Sequence, residues 1–297
     1  MSNSIAVNPV LNVWRQTKII LEMIKFEHTI FAMPFAFMAA FAASSGWPSS
    51  HDALWIVLAM VGARSAAMAF NRIVDRKYDG ENPRTKMRAI PAGQLTVAQV
   101  TAFTIVASAL LVFAAYNLKP LAFYLSPVAL IAALGYSLTK RFTAFSHAFL
   151  GLALAVAPMG AWIAIRGTFD AAPMVLASAV LFWLFGFDII YALQDTEFDR
   201  SAGLHSIPAA IGNRKALIVN RISHIVMVGL LALFGLLAHL HWLYFAGVGF
   251  VAALVTYEQS LVRHDDLSKL DFAFFTLNGY ISVGLFLFTV ADILLLH

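Results

Sequence analysis

A run of about 20 apolar residues is long enough to cross a bilayer as a helix, and this chain contains nine such segments. They begin near Phe26, Ala53, Val97, Leu121, Phe145, Pro173, Ala216, Trp242 and Phe272, and the eighth is short, parted from the seventh only by "HLH". The expected fold is therefore all-α, a polytopic membrane protein of about nine transmembrane helices. With 61% of 297 residues hydrophobic, a polar surface could not cover the chain, and lipid must be its solvent. Cysteine is absent, which excludes disulfides, thiolate nucleophiles and cysteine-ligated zinc. No cleavable signal peptide is expected, because the polar start is not followed by an h-region with a small-residue cleavage site.

Ahead of the first span, residues 8–25 place Val10, Val13, Trp14, Ile20, Leu21 and Ile24 on one helical face, with Arg15, Lys18, Glu22 and Lys25 mostly elsewhere. That pattern suits a helix lying in the membrane interface. Of the 20 lysines and arginines, only Lys119 and Arg166 fall in connections after odd-numbered spans. Cytoplasmic loops hold the excess of Lys and Arg, so the N-terminus and the even-numbered loops are expected in the cytoplasm, with His297 on the far side. The net charge of +4 is then a cytoplasmic cap, and nucleic-acid binding is not expected.

Two of those loops are longer than the rest and resemble each other. One reads "NRIVDRKYDGENPRTKMRAIPAG" and the other "YALQDTEFDRSAGLHSIPAAIG". Each has D-x-x-x-D at the end of a span, a polar turn and Ile-Pro-Ala, and the pairs lie 120 residues apart. The expected organisation is one domain over 1–297 with an internal repeat, about 26–140 and 145–257, whose two loops face each other around a pseudo-twofold axis.

On a helix, positions i and i+4 share a face, so Asp75 points with Asp79 and Asp195 with Asp199. Like charges so placed repel, and something cationic must offset them. Four carboxylates around one cleft make a hard-cation site suited to Mg²⁺, which substrate phosphates usually complete. Arg72, Arg76, Lys77, Arg84, Lys86 and Arg88 follow the second span, Lys140 and Arg141 end the fourth, and Arg214 with Lys215 opens the seventh. Arginine forks match phosphate oxygens and lysine supplies a point charge. Acids, metal and bases beside a lipid-facing cavity describe a site for a lipid diphosphate.

The chain resembles the UbiA superfamily of membrane prenyltransferases over nearly its whole length. The resemblance is carried by Asn71-x-x-x-Asp75-x-x-x-Asp79, "NPRTKMRAIPAG" at 82–93, "GYSLTKRFT" at 135–143 and "DIIYALQDTEFD" at 188–199. It implies helices around a central cavity with both aspartate motifs at its cytoplasmic mouth. It also implies Mg²⁺-dependent transfer of a polyprenyl chain from polyprenyl diphosphate to a small aromatic acid, 4-hydroxybenzoate or a related hydroxynaphthoate, in ubiquinone or menaquinone synthesis. Asp75, Asp79, Asp195 and Asp199 would be the metal ligands, with Tyr136 near the breaking bond and Lys140 on the leaving group. Asn71, Arg72, Arg76, Arg84, Arg88, Ser137, Arg141 and Tyr191 would contact substrate. Many members carry Asp where Arg72 follows Asn71 here; the extra cation suggests that Arg72 touches the diphosphate or pairs with Asp75. The ring proton would pass to diphosphate or a carboxylate such as Asp195 or Asp199.

Arg64 lies within the second span, seven residues before Asn71 and on roughly the same face. Arginine inside a membrane span is costly and usually functional, so Arg64 is expected to hold the acceptor carboxylate; the alternative is an interhelical pair with Asp188 or Glu27. Asp188, one turn before Tyr191, is expected to orient a basic residue or meet the acceptor. His28, His147 and His224 read as hydrogen-bonded core residues. A secondary transporter with an acidic ion site is the rival reading, but its site would lie near the midplane, whereas these acids gather at one end beside basic loops. A head-group phosphotransferase would need a D-G-x-x-A-R core, which the sequence lacks.

Overall fold

A computed structural model describes residues 9–24, 32–263 and 266–296, with residues 9–13 and 15 as backbone alone. Glu27, His28, His297 and the start of the first predicted span lie outside the described residues, as do the side chains of Val10, Val13, Arg15 and Lys25. The described chain is helical: α1 (Pro9–Met23), α2 (Met33–Ser44), α3 (Ser50–Val74), α4 (Arg76–Glu81), α5 (Val97–Tyr116), α6 (Pro120–Thr139), α7 (Ser146–Arg166), α8 (Ala171–Ala192), α9 (Thr196–Ser201), α10 (Ile207–Ile211), α11 (Asn213–Leu237), α12 (Trp242–Leu261) and α13 (Asn278–Leu296). Seven helical stretches are long and apolar enough to cross a membrane: α3, α5, α6, α7, α8 with its extension to Ser201, α11, and α13 with the turn before it. Of the other two predicted segments, α2 has 12 described residues, and α12 has 20 but carries the polar pair Glu258–Gln259.

Local chemistry sets the helix limits. Ser49 caps α3 by accepting from Asp52 N at 3.0 Å. Thr96 and Gln99 form a reciprocal capping box on α5, and Pro120 opens α6 where its missing N–H costs nothing. Asp292 on α13 is fully buried, yet both its oxygens are used, accepting from His241 N at 2.8 Å and Tyr244 N at 2.9 Å. A carboxylate from one helix thus satisfies orphan donors at the start of another.

Without a hydrophobic drive between helices in lipid, small residues govern close approach. A Cβ on Gly62 would stand 2.7 Å from Leu111 N, and one on Gly151 2.6 Å from Leu181 O. Those glycines let α3 meet α5, and α7 meet α8, nearly backbone to backbone. The main core gathers Phe35, Met38, Trp183, Leu231, Phe234, Tyr244, Ile281 and Leu285 from α2, α8, α11, α12 and α13. Trp183 Nε1 donates to Asn278 Oδ1 at 2.7 Å, and Asn278 Nδ2 donates to the carbonyls of Ala273 and Phe274. This ties down a π-helical turn, Phe272–Leu277, that opens the last span. Helix α1 does not bury all of its predicted face: Ile24 packs with Ala69, Ala89, Leu95 and Val100, while Trp14 and Leu21 are exposed.

Candidate active site

Both aspartate motifs sit where a span breaks. Helix α3 stops at Asp75 (φ −88°, ψ 3°) and the six-residue α4 carries Asp79. Helix α8 passes through a 3-10 turn, Leu193–Asp195, and the six-residue α9 carries Asp199. The i,i+4 relation survives the first break, because Asp79 N still donates to Asp75 O at 2.8 Å. All four carboxylates line the mouth of one cavity of about 760 Å³. Its far end reaches Leu118, Ala122 and Phe169, at the opposite ends of α5, α6 and α7. Its walls between are mostly apolar, with Ala63, Ala67, Ala133, Ala157 and Gly160 among them.

Each aspartate has its own cation. Asp75 accepts from Arg141 Nη2 at 3.1 Å and from Asn71 Nδ2 at 2.7 Å. Asp79 Oδ1 accepts from Arg88 Nη1 at 2.6 Å. Asp195 takes a two-pronged bond from Arg84, supplemented by Asn82 Nδ2 at 3.2 Å. Lys140 Nζ stands 2.7 Å from Asp199 Oδ1 as an ion pair whose angle is not that of a hydrogen bond. Two of these pairs cross between the sequence halves: the loop after α4 reaches Asp195, and the end of α6 reaches Asp199. Arg84 Nη1 also donates to the Tyr191 hydroxyl at 2.9 Å, and Tyr191 stacks on Phe274 with centroids 4.3 Å apart. Burial, then the neighbouring Asp79, pushes the Asp75 carboxyl above its ordinary pKa despite Arg141 and Lys140. Burial alone would lower the Arg84 guanidinium, but its bonds to Asp195 and Tyr191 outweigh that and raise it.

Most expected site residues line this cavity: Arg64, Asn71, Arg72, Arg84, Arg88, Tyr136, Ser137, Lys140, Arg141, Asp188 and Tyr191 join the four aspartates. Arg76 departs from expectation, and Arg72 departs from one of its two expected roles, the pairing with Asp75. Arg76 is exposed, off the cavity wall, and its Nη1 donates to Ile73 O at 2.9 Å; one residue past Asp75 is about 100° around the helix from the acidic face. Arg72 is buried and pairs with no aspartate; it donates to Asn71 Oδ1 at 3.2 Å and Met23 O at 3.5 Å. Packing against the end of α1 turns it toward that carbonyl, so it braces Asn71, which holds Asp75. Arg64 Nε is buried without a hydrogen-bond partner, and Asp188 pairs with His147 instead. His147, expected as a hydrogen-bonded core residue, is buried and hydrogen-bonded but also lines the cavity, and sequence reasoning passed over Asn82, Thr85, Phe274 and Phe275, all cavity residues. Asn82 and Thr85 lie in a quoted motif, but His147 and the two phenylalanines carry no pattern that marks them in an apolar chain.

The donor set suits a hard cation. Asp79 Oδ2 and Asp199 Oδ2, one in each motif, are buried carboxylate oxygens with no hydrogen-bond partner. Among the described residues no three acidic or histidine side chains are gathered as a ready metal cage. One or two carboxylates per ion, completed by substrate phosphate, is the usual Mg²⁺ arrangement, and the paired motifs fit it.

Comparison with known proteins agrees with this architecture. Residues 32–280 match the UbiA prenyltransferase family. The chain is 30% identical over 250 residues to a 4-hydroxybenzoate octaprenyltransferase of Methylobacillus flagellatus, covering 84% of each chain. It is 31% identical over 255 residues to the same-named protein of Aromatoleum aromaticum, covering 86% of each. It superposes on a UbiA homolog from Aeropyrum pernix K1 with a TM-score of 0.82 and 31% identity, over 90% of this chain and 98% of that one. A UbiA homolog from Archaeoglobus fulgidus bound to DMAPP and Mg²⁺ shares the fold, with a TM-score of 0.72 and 20% identity, over 93% and 99% of the chains. Spans, paired motifs and matches coincide, and the chain is an integral membrane protein of the UbiA prenyltransferase family.

Proposed function

We propose that this enzyme transfers a polyprenyl chain from polyprenyl diphosphate to a small aromatic acid, 4-hydroxybenzoate or a related hydroxynaphthoate, in quinone synthesis. The observation that carries this reading is one cavity with ion-paired aspartates at its mouth, a lipid-compatible interior, and an unpartnered arginine nitrogen at Arg64 within it. The relatives' names and the Mg²⁺-bound neighbour support it.

Asp75, Asp79, Asp195 and Asp199 would hold Mg²⁺, which supplies positive charge to the departing diphosphate. The forks of Arg84, Arg88 and Arg141 and the Lys140 ammonium match phosphate oxygens and stabilise the charge developing on them. To do so they would have to loosen their present bonds to the aspartates, which would free those carboxylates to hold the cation. The prenyl tail fills the apolar cavity and excludes water from the allylic cation, whose charge the Tyr136 ring faces. Arg64 receives the acceptor carboxylate. We further place the mouth and the N-terminus on the cytoplasmic side, with α1 along the interface and Trp14 and Leu21 toward lipid. The matched packing of α3 on α5 and α8 on α11 supports duplication of one helical unit. The test is purified protein with Mg²⁺, a polyprenyl diphosphate and a panel of aromatic acids, read by mass spectrometry. A prenylated aromatic acid is expected; diphosphate consumption without one, across the panel, rejects the reading.

A further inference from the structure

Five aspartates line the cavity, and four of them are paired with arginine or lysine. The fifth is Asp188 on α8, whose partner is a histidine: His147 Nδ1, on α7, lies 2.7 Å from Asp188 Oδ2. The other ring nitrogen fixes the proton's position. His147 Nε2 lies 3.4 Å from the backbone nitrogen of Ile207, at the start of α10. A backbone amide can only donate, so Nε2 presents its lone pair and the ring proton sits on Nδ1, directed at the carboxylate. The ring is buried, at 3% exposure. Asp188 keeps 22% of its side chain open in the cavity wall, and its second oxygen has no partner among the described residues. This is a carboxylate held in one orientation by a neutral donor, with a free oxygen turned to the cavity.

Its depth matters. Asn71 and Tyr191 each stand four residues before the first aspartate of their motif, and taking them as one level fixes a scale. Asp188 is three residues deeper and Arg64 seven, so Arg64 lies about 6 Å beyond Asp188 at 1.5 Å per residue. That offset is about the span of one substituted benzene ring between its carboxylate and its reactive side. An acceptor anchored at Arg64 would therefore bring its reacting carbon to the level of Asp188, short of the diphosphate.

We propose that Asp188 is the base that removes the ring proton in prenyl transfer and that His147 is its positioning residue. The proposal rests on the prenyl-transfer reading and adds the step that reading leaves open. The C1–O bond of the donor breaks and its electron pair leaves with diphosphate. The ring carbon beside the acceptor hydroxyl forms the new bond to C1. Its C–H bond then breaks, the proton passes to the free oxygen of Asp188, and the C–H electron pair restores the aromatic ring. Asp188, now a neutral acid, returns the proton to water when product leaves. Each of the four motif aspartates faces an arginine or lysine and would be a ligand of Mg²⁺, whereas Asp188 faces only the histidine and keeps one oxygen open to the cavity.

The test measures diphosphate release and prenylated product in the same reaction, with acceptor deuterated or not at the reacting ring position. Wild-type enzyme should give one product per diphosphate. In Asp188→Asn, product formation should fall by about 10²- to 10⁴-fold, diphosphate release should outrun it, and a primary ring-deuterium isotope effect absent from wild type should appear. His147→Leu should move the same three readouts less, and His147→Gln, which keeps a donor, should restore them in part, as should Asp188→Glu. Parallel loss of diphosphate release and product in Asp188→Asn without an isotope effect would overturn the assignment, as would wild-type rates. Failure of wild-type enzyme to prenylate any aromatic acid would reject the broader reading instead, before any variant is compared.

Discussion

Arg64 combines two properties that make opposite demands, and replacing it by methionine separates them. Its Nε is buried without a hydrogen-bond partner, and no carboxylate among the described residues pairs with it. A half-buried charge without a counter-ion carries a desolvation cost that nothing offsets, and replacing even paired buried ions by apolar groups of similar volume is often neutral or stabilising, by up to about 4 kcal/mol. Arg64→Met should therefore raise the apparent Tm of the detergent-solubilised protein in the absence of acceptor. Binding should move the other way. An acceptor carboxylate would lose its partner in a low-dielectric cavity, at a cost of about 2 to 5 kcal/mol, or roughly a 30- to 4,000-fold rise in dissociation constant. Arg64 lies two helical turns, about 10 Å, inward of Asn71, too deep to hold the diphosphate, so donor affinity should change little. Calorimetric titration of each substrate, alongside thermal unfolding, reads all three quantities. A lower Tm with unchanged acceptor affinity would make Arg64 a structural residue with a partner. Collapse of donor affinity with acceptor affinity intact would assign it to the phosphate site.

Asp75→Asn and Asp195→Asn should each lower turnover by about 10²-fold or more while the protein stays folded; near-normal turnover in both at limiting Mg²⁺ would remove these acids from the metal site. Gly62→Ala places a methyl 2.7 Å from Leu111 N and 2.8 Å from Ala107 O. Because neither backbone can swing away, it should cost about 1 to 3 kcal/mol, whereas Gly229→Ala, inside α11 with nothing within 4 Å, should stabilise by up to about 1 kcal/mol in the same unfolding assay. Cysteines placed at the exposed Ser201 and Thr168 of this cysteine-free chain should react with impermeant reagents from opposite sides of the membrane, and labelling from one side would break the topology.

The helices themselves were legible because their cause is local. A run of apolar residues has to form its own hydrogen bonds in lipid wherever it lies, and Asp75, Asp79, Asp195 and Asp199 stand out because charge is rare here. The wealth of Arg and Lys beside them was equally plain. Which cation serves which acid was not, since Arg84 reaches Asp195 over 111 residues and Lys140 reaches Asp199 over 59. That choice is made by the close approach of α3, α5, α7 and α8, which no local pattern encodes. Arg76 and Arg72 show the same limit: one residue's rotation puts the first outside the cavity, and the end of α1 draws the second to a carbonyl. His147 is the clearest case. In sequence it is a lone histidine in an apolar helix, for which the core is the ordinary place. Only the packing of α7 against α8, with the start of α10 laid over both, gives its two nitrogens different partners and turns a buried ring into a directed proton donor.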